Sequence, residues 1–194
     1  DSVEYWQDNV LKKVKCNKEI VLSAGSISSP HILQASGIGP AELINSKGID
    51  VIKNVEAVGK NLHDHLMLRP VYKVKNIYTL NQLSHSNYRK LLVGLEYLFF
   101  RSGPMTMGAS QLCGFTKSDP SLATPNLQFH VAPMSADKLG GDTLHKFPAF
   151  TPTISNIRPT SRGQISIASN DTRDDPLITM NYLSTDEDKK IAVK

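Results

Sequence analysis

Apolar residues fall into short, separate blocks along this chain, and the spacing inside each block predicts its element. Residues 3–6 and 10–16 carry β-type residues, the latter with Leu11, Val14 and Cys16 set among lysines. The polar trio Gln7-Asp8-Asn9 between them predicts a hairpin. Ile20, Val21 and Leu22 then form a continuous apolar run closed by Ala24 and Gly25, and Ser28, Ser29 and Pro30 suit a helix start. Residues 19–40 therefore predict a buried strand, a tight turn and a helix from about Ser29. Pro40 opens a second helix, Lys47 and Gly48 stop it, and residues 49–55 form another short strand.

From Leu66 the pattern changes, and a boundary is expected there. Residues 66–74 are strand-like and residues 77–87 are a polar connection. Residues 88–100 place Leu91, Leu92, Leu95, Tyr97, Leu98 and Phe99 at helical spacing, a face expected to enter the core. Gly103-Pro104 breaks that helix, and residues 111–116 and 127–131 alternate like strands of an antiparallel sheet with one buried face. Residues 135–147, around Gly140 and Gly141, predict a mobile loop, a variable surface turn in preference to a substrate lid. Asp171, Asp174 and Asp175 fit a solvated turn. Ser184 and Glu187 have capping-box spacing for a last helix, whose first turn Asp186, Glu187 and Asp188 load with acid.

Length and charge narrow the function classes. A chain of 194 residues accommodates one domain or two small ones, burying ~70% of its unfolded surface. Its 22 Lys and Arg against 18 acidic residues give +4, but the cations are scattered, so no nucleic-acid partner is expected. No apolar run reaches the ~18 residues of a membrane span. Cys16 and Cys113 lie far apart without ligand spacing, and free buried thiols are the simpler reading, with a disulfide left open. His63 and His65 share one face of an extended chain, yet no Cys or Glu nearby supplies a third ligand. Satisfied polar histidines fit better than a metal pair. Gly37-Ile38-Gly39 is not a dinucleotide motif: Glu42 replaces the third glycine, Pro40 removes an amide, and a helix precedes it. Gly108-Ala109-Ser110-Gln111-Leu112 has the wrong fifth residue for a nucleophile elbow, and there is no P-loop.

In open α/β sheets ligands sit where a strand ends and the next helix begins, so the turn at residues 23–29 is a candidate cofactor wall. The spacing Ala24-Gly25-Ser26, Ser29-Pro30, Ile32-Leu33 and Ser36-Gly37-Ile38-Gly39 resembles the second signature of the glucose-methanol-choline (GMC) flavin oxidoreductases. Two further segments in the family's order strengthen the resemblance. Val58-Gly59-Lys60-Asn61-Leu62-His63-Asp64-His65 resembles its V-G-x-N-L-x-D-H segment, which lies near the flavin. Pro159, Ser161-Arg162-Gly163, Ser169, Asp175-Pro176, Ile178 and Asn181-Tyr182-Leu183 resemble the start of its C-terminal region.

The resemblance implies an α+β / α/β architecture: residues 1–65 as the end of a Rossmann-like FAD-binding domain, and residues 66–194 as an incomplete antiparallel-sheet substrate domain backed by helices. It implies FAD as cofactor, a small-molecule alcohol as substrate and an electron acceptor as partner. A base takes the hydroxyl proton while hydride passes from carbon to flavin N5. Ala24, Gly25, Ser29 and Pro30 are expected beside the cofactor, with Asn61, Asp64 and His65 second. The family's catalytic His lies beyond its Asn-Tyr-Leu segment and its glycine motif lies near its N-terminus. None of His31, His63, His65, His85, His130 and His145 is therefore expected to be the base, and the chain is expected to be an inactive internal segment of a longer enzyme. Secretion is common in the family. The alternative is a small α+β binding or structural module without catalytic activity.

Overall fold

A computed structural model gives the fold, describing residues 2–108, 110–138 and 143–193. Strands β1 (Ser2–Gln7) and β2 (Val10–Lys15) pair antiparallel along their whole length. Asp8 and Asn9 both take positive φ, 52° and 60°, which is the hairpin turn whose twist matches the flanking strands. The apolar run at residues 20–22 departs from expectation: it is not a strand, and Val21 is 77% exposed. A strand exists through its ladder to a neighbour, and none lies beside this run among the described residues.

Helix α1 (Gly25–Ala35) begins before the expected start at Ser29, so Pro30 lies inside it. The Ser29 hydroxyl, instead of capping a following amide, accepts the backbone N–H of Ala24 at 3.0 Å and ties the chain ahead of the helix to its second turn. Strand β3 (Ile38–Gly39), helix α2 (Ala41–Ser46) and strand β4 (Lys53–Asn54) follow, with β3 and β4 parallel. The strand expected at 49–55 is thus confined to two residues. Pro40 stands at the N-cap of α2 rather than its first turn, and the buried Ile44 anchors that helix. Strand β5 is Lys60–Leu62.

The strand-like segment at 66–74 is split into β6 (Met67–Leu68) and β7 (Tyr72–Lys73). Helices α3 (Leu80–Ser84) and α4 (Asn87–Phe100) come next, and the Ser86 hydroxyl caps α4 by accepting the Arg89 N–H. The periodicity of α4 is as expected, but the core assignment of its apolar face is overturned. Leu91, Leu98 and Phe99 are 59%, 60% and 71% exposed, and no residue of α4 is buried. Helical spacing fixes which side chains share a face; it cannot fix what packs against that face. Strands β8 (Leu112–Thr116), β9 (Leu127–Ala132) and β10 (Ala149–Asn156) complete an antiparallel sheet in the order β6-β10-β9-β8, with β7 also on β10. Met67 and Leu68 pair with Ser155 and Ile154, and Tyr72 and Lys73 with Phe150 and Ala149. Continued inward, these two pairings set Pro70 opposite Pro152, and neither can donate to a ladder.

Strands β11 (Gly163–Ser166) and β12 (Leu177–Thr179) are antiparallel, and β11 also pairs with β5. In the turn between them Arg173 pairs with Asp171, holding that carboxyl down at about 2 through its side-chain and backbone hydrogen bonds, and lies over the Trp6 ring. Helix α5 (Asp186–Ala192) is capped by Thr185, whose hydroxyl accepts the Asp188 N–H, so the expected Ser184 cap is corrected by one residue. Ser184 instead gives its N–H to the Ser161 hydroxyl.

These elements form two compact units, Asp1–Leu62 with Arg162–Asn181 and His63–Ser161 with Tyr182–Lys194. The first is centred on Ile44, Ile165, Ile167 and a buried Gln34. The second is centred on Ala149 and the buried polar residues Asn81, Ser135, Thr151, Ser155 and Asp188. The fold is α+β, with parallel pairing among the described residues confined to β3 and β4.

Candidate cofactor wall

In the first unit the turn that opens α1 is built from small groups. Gly25 has φ 79°, and a Cβ added to it would meet no atom within 4 Å. No side chain caps the helix, and its first turn contains no acid. Its first amides therefore keep the partial positive charge of a helix start. Ala24, Gly25, Ser29 and Pro30 are brought together here, Ser29 by its bond to Ala24.

At the other end of the same helix Gln34 is fully buried and fully used. Its Nε2 donates to the carbonyls of Val58 and Ile165, both at 3.1 Å, and its Oε1 accepts the Ile167 N–H at 2.9 Å. Ile165 N–H also reaches Gly59 O at 2.7 Å. Gly59, at φ 84°, has no room for a side chain, since a Cβ would collide with Ile165 O and Gln34 Nε2. The turn carrying Asn61, itself at φ 60°, is thus locked onto α1 and β11. Sequence reading passed over Gln34; a lone amide between apolar neighbours in a helix was the available sign.

Asp64 and His65 belong to the second unit. Asp64 accepts the His65 N–H at 2.8 Å through Oδ1 and the Tyr182 hydroxyl at 2.9 Å through Oδ2. Burial, then the bond to Asp64 and its charge, push the Tyr182 phenol above its ordinary value. Both residues line a cavity of about 310 Å³ that is otherwise largely apolar, with Leu66, Phe129 and Ile154 in its wall. Deeper, Asp188 accepts from Ser161 N at 2.8 Å, Thr160 N at 3.0 Å, and Asn156 Nδ2 and Thr160 Oγ1 at 3.2 Å. Burial works to raise its carboxyl, but the bonds from Ser161 and Thr160 outweigh it and the net shift is downward.

One arrangement has the outward form of a hydrolase triad. His145 Nδ1 is 2.9 Å from Ser135 Oγ, and Nε2 is 2.8 Å from Asp137 Oδ1. Ser135 is 1% exposed, however, and Asn81 grips its N–H, O and Oγ. This is a clasp at the base of the expected loop 135–147, not a reachable nucleophile. The loop's Gly140, Gly141 and Asp142 lie outside the described residues, as does Ala109. Among the described residues no three His, Cys, Asp or Glu side chains are grouped to hold a metal, and no helix is long and apolar enough to cross a membrane.

Comparison with known proteins agrees with the motif spacing. Residues 2–67 match the family model described as GMC oxidoreductase. An oxygen-dependent choline dehydrogenase of Stenotrophomonas maltophilia is 34% identical over 186 residues, covering 96% of this chain and 33% of that protein. An alcohol dehydrogenase [acceptor] of Pseudomonas putida is 37% identical over 201 residues, covering 98% and 35%. A structure of formate oxidase from Aspergillus oryzae RIB40 superposes with a TM-score of 0.81 at 24% identity, over 94% of this chain and 36% of that one, a likeness of fold. The chain therefore spans about a third of the length of the relatives it matches. On the family model and the relatives together, this chain belongs to the GMC oxidoreductase family.

Proposed function

We propose that the whole protein is an FAD-dependent oxidoreductase acting on the CH–OH group of a small alcohol and passing electrons to a separate acceptor. In this reading residues 1–65 form part of the flavin side, with β11 and β12 in the same unit as α1, and the rest of residues 66–194 form part of the substrate side. The observation that carries it is the turn opening α1. The open space over Gly25 lets a flat cofactor reach the backbone, and uncapped amides at a helix start favour its electron-rich atoms. These residues fit FAD: Ala24, Gly25, Ser29 and Pro30 would hold it, with Asn61, Asp64 and His65 second. When bound, the flavin supplies the hydride acceptor that side chains lack.

The chain's own residues bind and orient. Ser29 fixes Ala24, Gln34 fixes the turn before Asn61, and the Tyr182 hydroxyl keeps one Asp64 oxygen occupied. None of the six histidines is assigned as the base. Relatives named choline dehydrogenase and alcohol dehydrogenase [acceptor] support an alcohol and an acceptor, and the formate oxidase neighbour is described with FAD modification.

Titration with FAD tests the reading, on this chain and on a longer polypeptide containing it. Bound yellow flavin in the longer one supports the enzyme; none in either leaves the α+β binding module. The 194-residue chain alone is expected to show no alcohol-dependent dye reduction.

A further inference from the structure

We propose that the cavity beside Asp64 and Tyr182 binds a neutral alcohol with an apolar body of medium length and turns away the corresponding carboxylic acid. The cavity is about 310 Å³ and is built wholly within the second unit. That volume stands at the lower end of the ~300–1,000 Å³ of small-molecule sites. Leu66, Leu127, Phe129, Ile154, Leu183 and Ile191 make most of its wall. Such a wall takes methylene or ring groups out of water, and it leaves the several hydroxyls of a sugar without partners.

The polar residues of the same wall, Asp64, Asn156, Tyr182 and Asp188, decide the head of the ligand. The hydroxyl hydrogen of Tyr182 goes to Asp64 Oδ2 at 2.9 Å, and the Asn156 amide nitrogen turns to Asp188 Oδ1 at 3.2 Å. The two carboxylates have no hydrogen to give. Asp188 is taken up by Ser161, Thr160 and Asn156, whereas each Asp64 oxygen accepts a single donor, the His65 N–H or the Tyr182 hydroxyl. Asp64 therefore keeps accepting capacity, as does the phenol oxygen bonded to it. What the wall offers a ligand head is acceptors and negative charge. A hydroxyl brings the hydrogen these acceptors lack. A carboxylate brings none and meets like charge, and an ammonium loses more water than this mostly apolar wall returns. That the bound alcohol is the one oxidised rests on the flavin reading; that the cavity holds it does not.

Calorimetric titration of the full chain with hexanol tests the cavity, with hexanoate, hexylammonium and sorbitol as companions. Hexanol is expected to bind about tenfold or more tighter than hexanoate, because only the anion meets like charge. Hexylammonium and sorbitol should both be weaker than hexanol, and the Phe129 ring resonances should shift when hexanol is added. Asp64→Asn should narrow the gap between hexanol and hexanoate. Ile154→Phe, which puts a larger side chain into the wall, should weaken hexanol about tenfold; circular dichroism verifies that each variant is folded. The longer polypeptide should keep the hexanol site, and hexanol should bleach its bound flavin in preference to sorbitol. The cavity's assignment is overturned by no hexanol binding, by hexanoate or hexylammonium binding as tightly, by shifts that miss Phe129, or by loss of the site in the longer polypeptide. Hexanol bound without any flavin overturns the enzyme reading alone. Flavin bleached by sorbitol and not by hexanol overturns the substrate class alone.

Discussion

Gln34 accepts the backbone N–H of Ile167 at 2.9 Å, a bond that spans 133 positions of sequence. With its two bonds to Val58 and Ile165, one amide joins a helix, a turn and a strand that nothing local brings together.

Gln34→Leu should therefore destabilise the chain by about 2–4 kcal/mol, since it leaves two carbonyls and an N–H buried without partners. Urea unfolding measures the loss. Gln34→Glu sets a carboxylate against two carbonyls, and its stability should recover in part as pH falls and the carboxyl gains a proton.

Two glycines at positive φ should respond differently to alanine. Gly59→Ala collides with Ile165 and Gln34 and should cost about 3 kcal/mol or more, or prevent folding. Gly25→Ala meets open space and pays only backbone strain of about 1–2 kcal/mol. If the turn faces FAD, that same methyl group should still lower FAD affinity about tenfold in the full-length protein. Unchanged affinity would remove Gly25 from the cofactor wall.

Asp188 should make the second unit acid-sensitive. Its folded carboxyl lies below its unfolded value, so its contribution is complete above the ordinary carboxylate range. That contribution is lost as pH falls through the lower folded value. Asp188→Ala, losing acceptors for Thr160 and Ser161, should cost about 2–4 kcal/mol at neutral pH and flatten this acid dependence. Thermal melts of both chains between neutral and acid pH measure it.

Tyr182 should respond at the opposite end of the scale. Its phenol is held above the ordinary value, so its contribution is complete below that value and fades as pH rises from it toward the folded one. Asp64→Asn removes the charge and should bring the phenol down. Ultraviolet titration of the tyrosines, with Tyr182→Phe to identify the signal, decides it; no movement means the carboxylate is not a cause.

The elements with local causes were legible. Asp8-Asn9 predicted the hairpin, the spacing of leucines predicted α4, and alternation predicted β8 and β9. What depends on distant partners was not. The run Ile20, Val21 and Leu22 carries a strand's composition but has no neighbour to pair with among the described residues. Thr185 displaced Ser184 as a cap because Asp188, the residue it caps, is drawn inward to Thr160 and Ser161. Motif spacing nominated Ala24, Gly25, Asn61 and Asp64 for the cofactor wall, whereas Gln34 and Tyr182, which hold the turn before Asn61 and the Asp64 carboxylate, are defined by bonds across 133 and 118 positions.

Pro70 and Pro152 face each other where β6 and β7 leave a gap along β10. Sliding that edge by two residues, the smallest step that keeps each side chain on its own face, would bring a proline into the ladder in either direction. The gap thus acts as a register pin. A slipped pairing would leave a ladder position without its donor, which disfavours it relative to the native register.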